Sequence, residues 1–192
     1  NLALTNITLR SAGLAELAPA LYHNTSIKVL VISGNRLDDM ESAESLRDII
    51  RRNKTITTLD LSLNNFGGTA GAVDCIAEGL GSNSTLLKIN LSSYNLRDGH
   101  VSILAQNLGR RNTNSITSTV VGVLLETTEQ HSLATGLDLR YNCIGNDGAG
   151  LLARALGNNA LPNLTRLSLS YCGIDDAGVI ALVSALEQNT SL

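Results

Sequence analysis

Hydrophobic residues recur at fixed spacings in four eleven-residue windows of the chain, at residues 27–37, 56–66, 134–144 and 164–174. In every window positions 1, 4, 6 and 11 are apolar, and position 9 is asparagine in the first three. Alternation such as Leu59-Asp60-Leu61 predicts a short strand that buries one of its faces. The recurrence predicts that the four windows adopt one common structure.

A helix is predicted after each strand. Asp and Asn residues, as in Asp175-Asp176, stand where a helix would begin, and their side chains accept hydrogen bonds from the free amide groups there. An amphipathic stretch follows, for example at residues 178–187. Because strand and helix alternate in one register, the strands should be parallel with right-handed connections. We therefore predict an α/β solenoid with a curved parallel sheet on its concave face and helices on its convex face. The predicted strands centre on residues 30–32, 59–61, 89–91, 137–139 and 167–169.

The repeat length sets the domain organisation. Equivalent positions lie 28–30 residues apart over most of the chain, so its 192 residues hold six to seven repeats. Stacked repeats share one continuous core, and we expect residues 1–192 to form a single domain. Residues 116–133 are irregular, because a repeat starting at Ile116 leaves only 18 residues before the next one at Ala134. This unit is predicted to have a bare loop on its outer side or to have lost residues.

Position 9 is predicted to be structural. An asparagine amide can satisfy backbone groups where the chain leaves the strand and turns beneath its neighbour. A thiol can do so only weakly but fits the same space, so we expect a structural cysteine there, not a reactive one. The predicted ladder residues are Asn35, Asn64, Asn142 and Cys172. A further window at residues 86–96 departs from the pattern, with Tyr94 at position 9.

The repeat resembles that of the ribonuclease-inhibitor-like leucine-rich-repeat proteins. The resemblance lies in the strand template L-x-x-L-x-L-x-x-N-x-L and in the pattern I-x-D-x-G-A-x-x-L-A-x-A-L-x-x-N-x-x-L between strands. It is strongest over residues 137–192, continues over residues 27–91, and so covers about two thirds of the chain. The subfamily includes the sensor ends of NOD-like receptors and the GTPase-activating protein for Ran. The resemblance implies a specific fold and, more generally, a surface that binds proteins.

Composition indicates which classes of partner and which cellular compartment are compatible with the chain. With 14 basic and 17 acidic residues and no basic run longer than two, the chain lacks the basic face that nucleic acids require. Its apolar runs are too short for membrane insertion. Three cysteines without a CxxC motif favour a cytoplasmic, intracellular location over an extracellular one. Glycosylation triplets favour an extracellular location instead. Most of them are also explained by the preference of turns for Asn and Ser/Thr. These triplets begin at Asn6, Asn24, Asn53, Asn83, Asn90, Asn163 and Asn189.

The sequence contains no constellation typical of catalysis. His23, His100 and His131 fall in three different repeats, which disfavours a shared metal site. No nucleophile elbow or P-loop occurs. The glycine-rich segment 67–71 could cradle a phosphate, but its place in the repeat favours a helix-start turn. We predict a protein that is not an enzyme and that uses no cofactor or metal.

The strongest binding candidates lie on the concave face of the last two repeats. Positions 3, 5, 7 and 8 face that side, and neighbouring strands are about 5 Å apart. Tyr141 and Tyr171 should therefore sit side by side, and Tyr and Arg are enriched in binding hot spots. The candidate partner-binding residues are Asp138, Arg140, Tyr141, Arg166, Ser168, Ser170 and Tyr171. The alternative is a solvated surface on which Arg166 pairs diagonally with Asp138.

We predict a protein-interaction module, a scaffold or a sensor domain, that binds a protein partner on its concave face. The resemblance leaves two alternatives. A GTPase activator similar to that for Ran would carry a strongly acidic C-terminal segment, and this chain ends without one. An enzyme inhibitor similar to ribonuclease inhibitor would be more acidic and richer in cysteine. The chain starts inside a repeat at Leu2, and Leu192 occupies position 1 of a repeat that does not follow. We therefore expect a fragment of a longer chain. Its uncapped ends would expose apolar surface, so the fragment could associate end to end.

Overall fold

Six short parallel strands in the described part of the chain form one sheet, in the order in which they occur. The computed structural model describes residues 1–108, 135–158 and 160–192, and the irregular segment 116–133 lies outside them. The strands are β1 (Leu2–Ala3), β2 (Val29–Val31), β3 (Thr58–Asp60), β4 (Lys88–Asn90), β5 (Gly136–Asp138) and β6 (Arg166–Ser168). The α-helices are α1 (Arg10–Tyr22), α2 (Met40–Arg52), α3 (Ala72–Gly81), α4 (Asp98–Leu108), α5 (Gly145–Gly157) and α6 (Asp176–Leu186). The predicted α/β fold with parallel strands is confirmed.

Strands β2 to β6 occupy positions 3 to 5 of their repeats, one residue earlier than predicted. Adjacent strands pair in register, so that Leu30 lies opposite Leu59. The N–H of Ile32 still donates to the carbonyl of Asp60 at 3.0 Å, but the carbonyl of Ile32 accepts from the side chain of Asn64 at 3.1 Å. At position 6 the carbonyl is therefore bonded to the side chain of an asparagine and not to the backbone of the neighbouring strand. For this reason the strand ends at position 5.

The hydrophobic core lies between the sheet and the helices. Positions 4 and 6 are buried in the repeats of β2 to β5, at Leu30, Ile32, Leu59, Leu61, Ile89, Leu91, Leu137 and Leu139. Helix residues such as Leu46 and Leu152 belong to the same buried cluster. Helices α5 and α6 pack closely because Gly178 faces Ala149, where an added Cβ would come within 3.2 Å of the alanine Cβ. Of the helices that the structure describes, none combines the length and the apolar character that a membrane crossing needs.

The asparagines of position 9 link each repeat to the one before it. The side chain of Asn64 accepts from the N–H groups of Asn35 and Leu37 at 3.0 and 3.2 Å, and it donates to the carbonyl of Ile32 at 3.1 Å. Asn35 and Asn142 make the equivalent bonds to the repeats before them. All three are buried. These side chains thus satisfy backbone groups that no strand or helix supplies with partners.

Cys172 takes the same place in the repeat of β6. Its Sγ donates to the carbonyl of Leu139 at 3.1 Å. Burial raises the pKa of the Cys172 thiol, which keeps it protonated and able to donate at neutral pH. A thiol is only a weak acceptor, however, so it cannot reproduce the two bonds that an asparagine oxygen accepts.

We expect Cys143 to react with a thiol reagent faster than either of the other cysteines. Cys143 is exposed, whereas Cys75 and Cys172 are buried and burial raises the pKa of both thiols. Because the thiolate is the nucleophile, the labelling rates near neutral pH should differ by at least about tenfold. Iodoacetamide labelling of the native protein, followed by peptide mass spectrometry, measures the three rates. Equal labelling of Cys172 and Cys143 would contradict a structural role for Cys172.

A second set of asparagines links the repeats where each helix turns into the next strand. Asn53 accepts from the N–H groups of Thr55 and Ile56, both at 2.8 Å, and donates to the carbonyl of Leu21 at 2.7 Å. Asn83 repeats this arrangement one unit later. Asparagines whose oxygen accepts from the same turn are Asn24, Asn53, Asn83 and Asn189. Four of the glycosylation triplets therefore begin at residues that build this turn, and a glycan on the buried Asn53 would break its hydrogen bonds.

Tyr94 replaces the ladder asparagine in the repeat of β4. Its side chain is buried, and its ring centroid lies 5.1 Å from that of Phe66. Its phenol oxygen has no hydrogen-bond partner among the described residues, and burial raises its pKa well above the ordinary value. Aromatic packing thus takes the place of the ladder hydrogen bonds in this repeat.

Candidate partner-binding surface

The face of the sheet turned away from the helices is the candidate site, and we call it the open face. It carries the side chains of positions 3, 5, 7 and 8 of each repeat. Position 7 is a buried serine in the repeats of β2 and β3, at Ser33 and Ser62. In the repeats of β5 and β6 the same position holds the exposed Arg140 and Ser170. Position 7 is therefore buried at the N-terminal end of the open face and exposed at its C-terminal end.

Tyr141 and Tyr171 form a stacked pair on the open face. Their ring centroids are 4.8 Å apart and the ring planes differ by 8°. The two side chains are 54% and 77% exposed. Because both occupy position 8 of adjacent repeats, the parallel register of β5 and β6 places them side by side. The pair presents a flat aromatic surface to solvent.

The backbone holds both tyrosines in one fixed conformation. Tyr141 and Tyr171 have φ angles of 59° and 58°, in the left-handed region that bulky residues rarely adopt. The same sign of φ occurs at position 8 of all six described repeats, at Asn6, Gly34, Leu63, Ser93, Tyr141 and Tyr171. The N–H of Tyr141 donates to the carbonyl of Ser170 at 3.0 Å, and the next residue, Asn142, is anchored in the ladder. The repeat architecture thus imposes the turn from which each ring projects.

Asp138 and Arg140 form an ion pair beside the tyrosines. Arg140 Nη2 lies 2.6 Å from Asp138 Oδ2, and Arg140 Nε lies 3.0 Å from each carboxylate oxygen. The hydrogen bonds that Arg140 donates to Asp138, and the negative charge of that carboxylate, raise the pKa of the Arg140 guanidinium. The carboxylate of Asp138 is thus paired with a residue of its own repeat, Arg140. The diagonal pair of Arg166 with Asp138, considered above as an alternative, is not the one that forms.

The other candidate residues lie around this cluster. Ser168 is half-buried and its carbonyl accepts from the N–H of Leu139 at 3.0 Å, whereas Ser170 is exposed. Arg166 is exposed at position 3, five residues before Tyr171, and therefore lies at the other end of the open face. Among the described residues, the structure pairs Arg140 with Asp138 and stacks Tyr141 on Tyr171, and Arg166 belongs to neither pair.

Gly136 and Lys88, which the sequence places on the same face but which are not among the candidate partner-binding residues, lie in one row with Arg166. The register places Gly136 opposite Arg166 on one side and opposite Lys88 on the other. The sequence alone could not show this, because 48 residues separate Lys88 from Gly136 and the irregular segment hides their equivalence. The only available signal was that both occupy position 3 of their windows.

A family model described as Leucine Rich repeat matches residues 23–39, 52–72, 135–153 and 160–183 of the chain. The matched segments include four of the six strands that the structure describes, and the exposed Tyr141 and Tyr171.

Two curated relatives are similar in sequence. The mouse NACHT, LRR and PYD domains-containing protein 14 is 27% identical over 202 aligned residues, which cover all of this chain and 20% of the relative. The chicken Leucine-rich repeat-containing protein 45 is 31% identical over 108 residues, which cover 56% of this chain and 16% of the relative. The chain therefore spans a fifth or less of the length of these relatives.

Two solved structures have a similar fold. The C-terminal domain of tropomodulin from Caenorhabditis elegans superposes with a TM-score of 0.65 at 15% identity, covering 92% of each chain. Leiomodin-1 Actin-Binding Site 2 superposes with a TM-score of 0.50 at 18% identity, covering 98% of this chain and 79% of the other. At these identities the likeness concerns the fold alone.

Proposed function

We propose that this chain, which is a leucine-rich-repeat protein, is a protein-interaction module that binds a protein partner on the open face at β5 and β6. The stacked pair of Tyr141 and Tyr171 carries the proposal. Large aromatic side chains with exposed flat faces are the type of residue that supplies most of the binding energy in protein interfaces. The pair is also the most protruding aromatic feature of the open face in the described residues.

The geometry of the pair favours binding without a large ordering cost. Each ring projects from a turn whose backbone is hydrogen-bonded to the neighbouring repeat, so little conformational freedom is lost when a partner docks. Arg140, which is paired with Asp138, and Ser170 directly precede the two tyrosines in the chain and add polar groups to the same part of the open face. In interfaces such polar groups around an aromatic centre exclude water and fix orientation. We assign the anchoring role to the tyrosines and the orienting role to Arg140 and Arg166.

We further propose that the module acts by binding, not by catalysis, inside the cell. The support for the first part is the family architecture, in which successive repeats present equivalent side chains along one extended surface. The support for the second is that all three cysteines are free, although one of them, Cys143, is exposed. Exposed free thiols are typical of a reducing compartment.

Changing Tyr141 and Tyr171 to alanine together should remove the anchor and leave the fold intact. We expect the double variant to lose at least about 2 kcal/mol of binding free energy for a partner, as hot-spot truncations do. The melting temperature should fall by no more than about 4 °C, because an exposed stacked pair contributes about 1 kcal/mol to folding. Affinity capture from extracts of the organism that makes the chain supplies the partner, and calorimetry with the purified partner measures the affinity.

The matched control changes position 8 in two other repeats. Asn6 and Leu63 are exposed and have a positive φ, so Asn6→Ala with Leu63→Ala makes the same kind of change in two repeats that do not adjoin the tyrosines. This control should keep full affinity. If the tyrosine double variant also keeps full affinity, the open face at β5 and β6 does not bind the partner.

A further inference from the structure

Three residues of the open face form a row across strands β4, β5 and β6. Lys88, Gly136 and Arg166 are Cα partners in the sheet register, each at position 3 of its repeat. Strands are spaced by about 4.8 Å, so the Cα atoms of Lys88 and Arg166 lie about 10 Å apart with the glycine between them. Because glycine has no side chain, the row contains a notch flanked by two long cationic side chains. Both cationic residues are exposed.

The open-face carboxylates of β3 and β5 are already engaged and do not neutralise these cations. Asp138 is held by Arg140. Asp60 accepts from the hydroxyl of Ser62 at 2.6 Å and from the amide of Asn90 at 3.0 Å. Within residues 1–108, 135–158 and 160–192, neither Lys88 nor Arg166 has a carboxylate at ion-pair distance. Among the residues that the structure describes, the two cations at the notch are therefore not balanced by a carboxylate, on a chain whose net charge is −3.

We infer that the protein partner inserts an acidic side chain, Asp or Glu, into the notch at Gly136, between Lys88 and Arg166. This inference rests on the proposed function and adds the chemistry that selects the partner. A carboxylate over Gly136 can accept hydrogen bonds from the Arg166 guanidinium on one side and the Lys88 ammonium on the other. Both stems are long and flexible enough to close over one small anion.

The two contacts together define a spacing in the partner. Gly136 and Tyr141 are five residues apart along one strand and its turn, which is up to about 17 Å of extended chain. An extended partner segment that lies along this repeat would therefore carry its acidic residue about five residues from the group that packs on the tyrosines. The acidic residue gives selectivity and the apolar group gives most of the affinity.

Selection from a library of random twelve-residue peptides tests the inference directly. Peptides selected on the wild-type chain should contain Asp or Glu, and each selected sequence is then synthesised with the acidic residue, with its amide counterpart and with phosphoserine at that place. We expect the amide form to bind about fivefold more weakly, as for exposed ion pairs. The difference should shrink as salt screens the charges.

Two variants connect the peptide to the notch. Gly136→Thr fills it, and an added Cβ there meets only Lys88 Cγ at 3.6 Å, an ordinary contact, so the strand should fold normally. Lys88→Met with Arg166→Met removes both charges and keeps the side-chain length. Each variant should bind the acidic peptide about fivefold more weakly and abolish its advantage over the amide form. The control, Arg51→Met with Lys54→Met, removes two exposed charges next to the turn after α2 and should change nothing.

The outcomes separate this inference from the proposed function. If every selected peptide binds the wild-type chain, Gly136→Thr and Lys88→Met with Arg166→Met with the same affinity, the notch does not bind acidic residues. Preferential binding of the phosphoserine form over the Asp or Glu form would overturn the carboxylate assignment in favour of a phosphorylated partner. Loss of binding in the tyrosine double variant alone, with both notch variants unaffected, would leave the proposed function standing and refute the inference.

Discussion

Replacing Asn64 with alanine is expected to destabilise the fold more than any surface change in the chain. The side chain of Asn64 accepts from two buried N–H groups and donates to the carbonyls of Ile32 and Leu61. Each buried backbone group that loses its only partner costs about 1–3 kcal/mol, so we expect a loss of at least about 3 kcal/mol in the free energy of unfolding. Urea denaturation followed by circular dichroism measures it.

The neighbouring asparagine gives a matched control for this change. Asn65 is exposed, and its side chain accepts one bond from the amide of Asn95 at 2.9 Å. Asn65→Ala should therefore cost less than about 1 kcal/mol. Similar losses for the two variants would mean that the ladder bonds contribute no more than a surface contact.

The fold could be predicted because the same hydrophobic template recurs in several windows of the sequence. Five strands lie within one residue of their predicted centres, since alternating leucines at positions 4 and 6 leave only one face that can be buried. The first strand is harder to see. Leu2–Ala3 holds only two residues, and Ile7 stands where the ladder asparagine would be. The template therefore fails at the start of the chain while the pairing of Leu2 with Leu30 continues the sheet.

The second set of asparagines shows where a sequence pattern has two readings. The triplets beginning at Asn53 and Asn83 match the acceptor motif for glycosylation, and they equally match a turn in which the asparagine oxygen accepts from the two residues that follow. Only the structure shows that each amide also donates to the preceding repeat. The triplets that begin at Asn24, Asn53 and Asn83 each stand three residues before position 1 of a window, and this spacing was the available signal for the structural role.

The candidate site could be predicted in part. The tyrosine pair follows from the register, because residues at the same position of adjacent repeats must be neighbours. The charge pairs do not follow from it. Arg140 can reach Asp138 along its own strand or across to another one, and only the side-chain conformations decide between them. Lys88 could not be placed beside Gly136 until the pairing of β4 with β5 was known.

Replacing Leu139 with alanine tests the packing on which both proposals depend. Leu139 is 1% exposed, at position 6 of the repeat that carries Tyr141. Removing a buried leucine side chain leaves a cavity, and we expect a loss of about 2–5 kcal/mol in the free energy of unfolding. The change also sits directly before Arg140, so the turn that holds the tyrosine should loosen with it.

Leu169 occupies the same position in the repeat of β6 and is only half-buried. Leu169→Ala should therefore cost about 1–2 kcal/mol, clearly less than Leu139→Ala, because less apolar surface returns to water. Chemical denaturation of the two variants beside the wild-type chain measures the difference. Equal losses would mean that Leu139 and Leu169 are equally buried. A loss under about 0.5 kcal/mol for Leu139→Ala would mean that this leucine is not in the core.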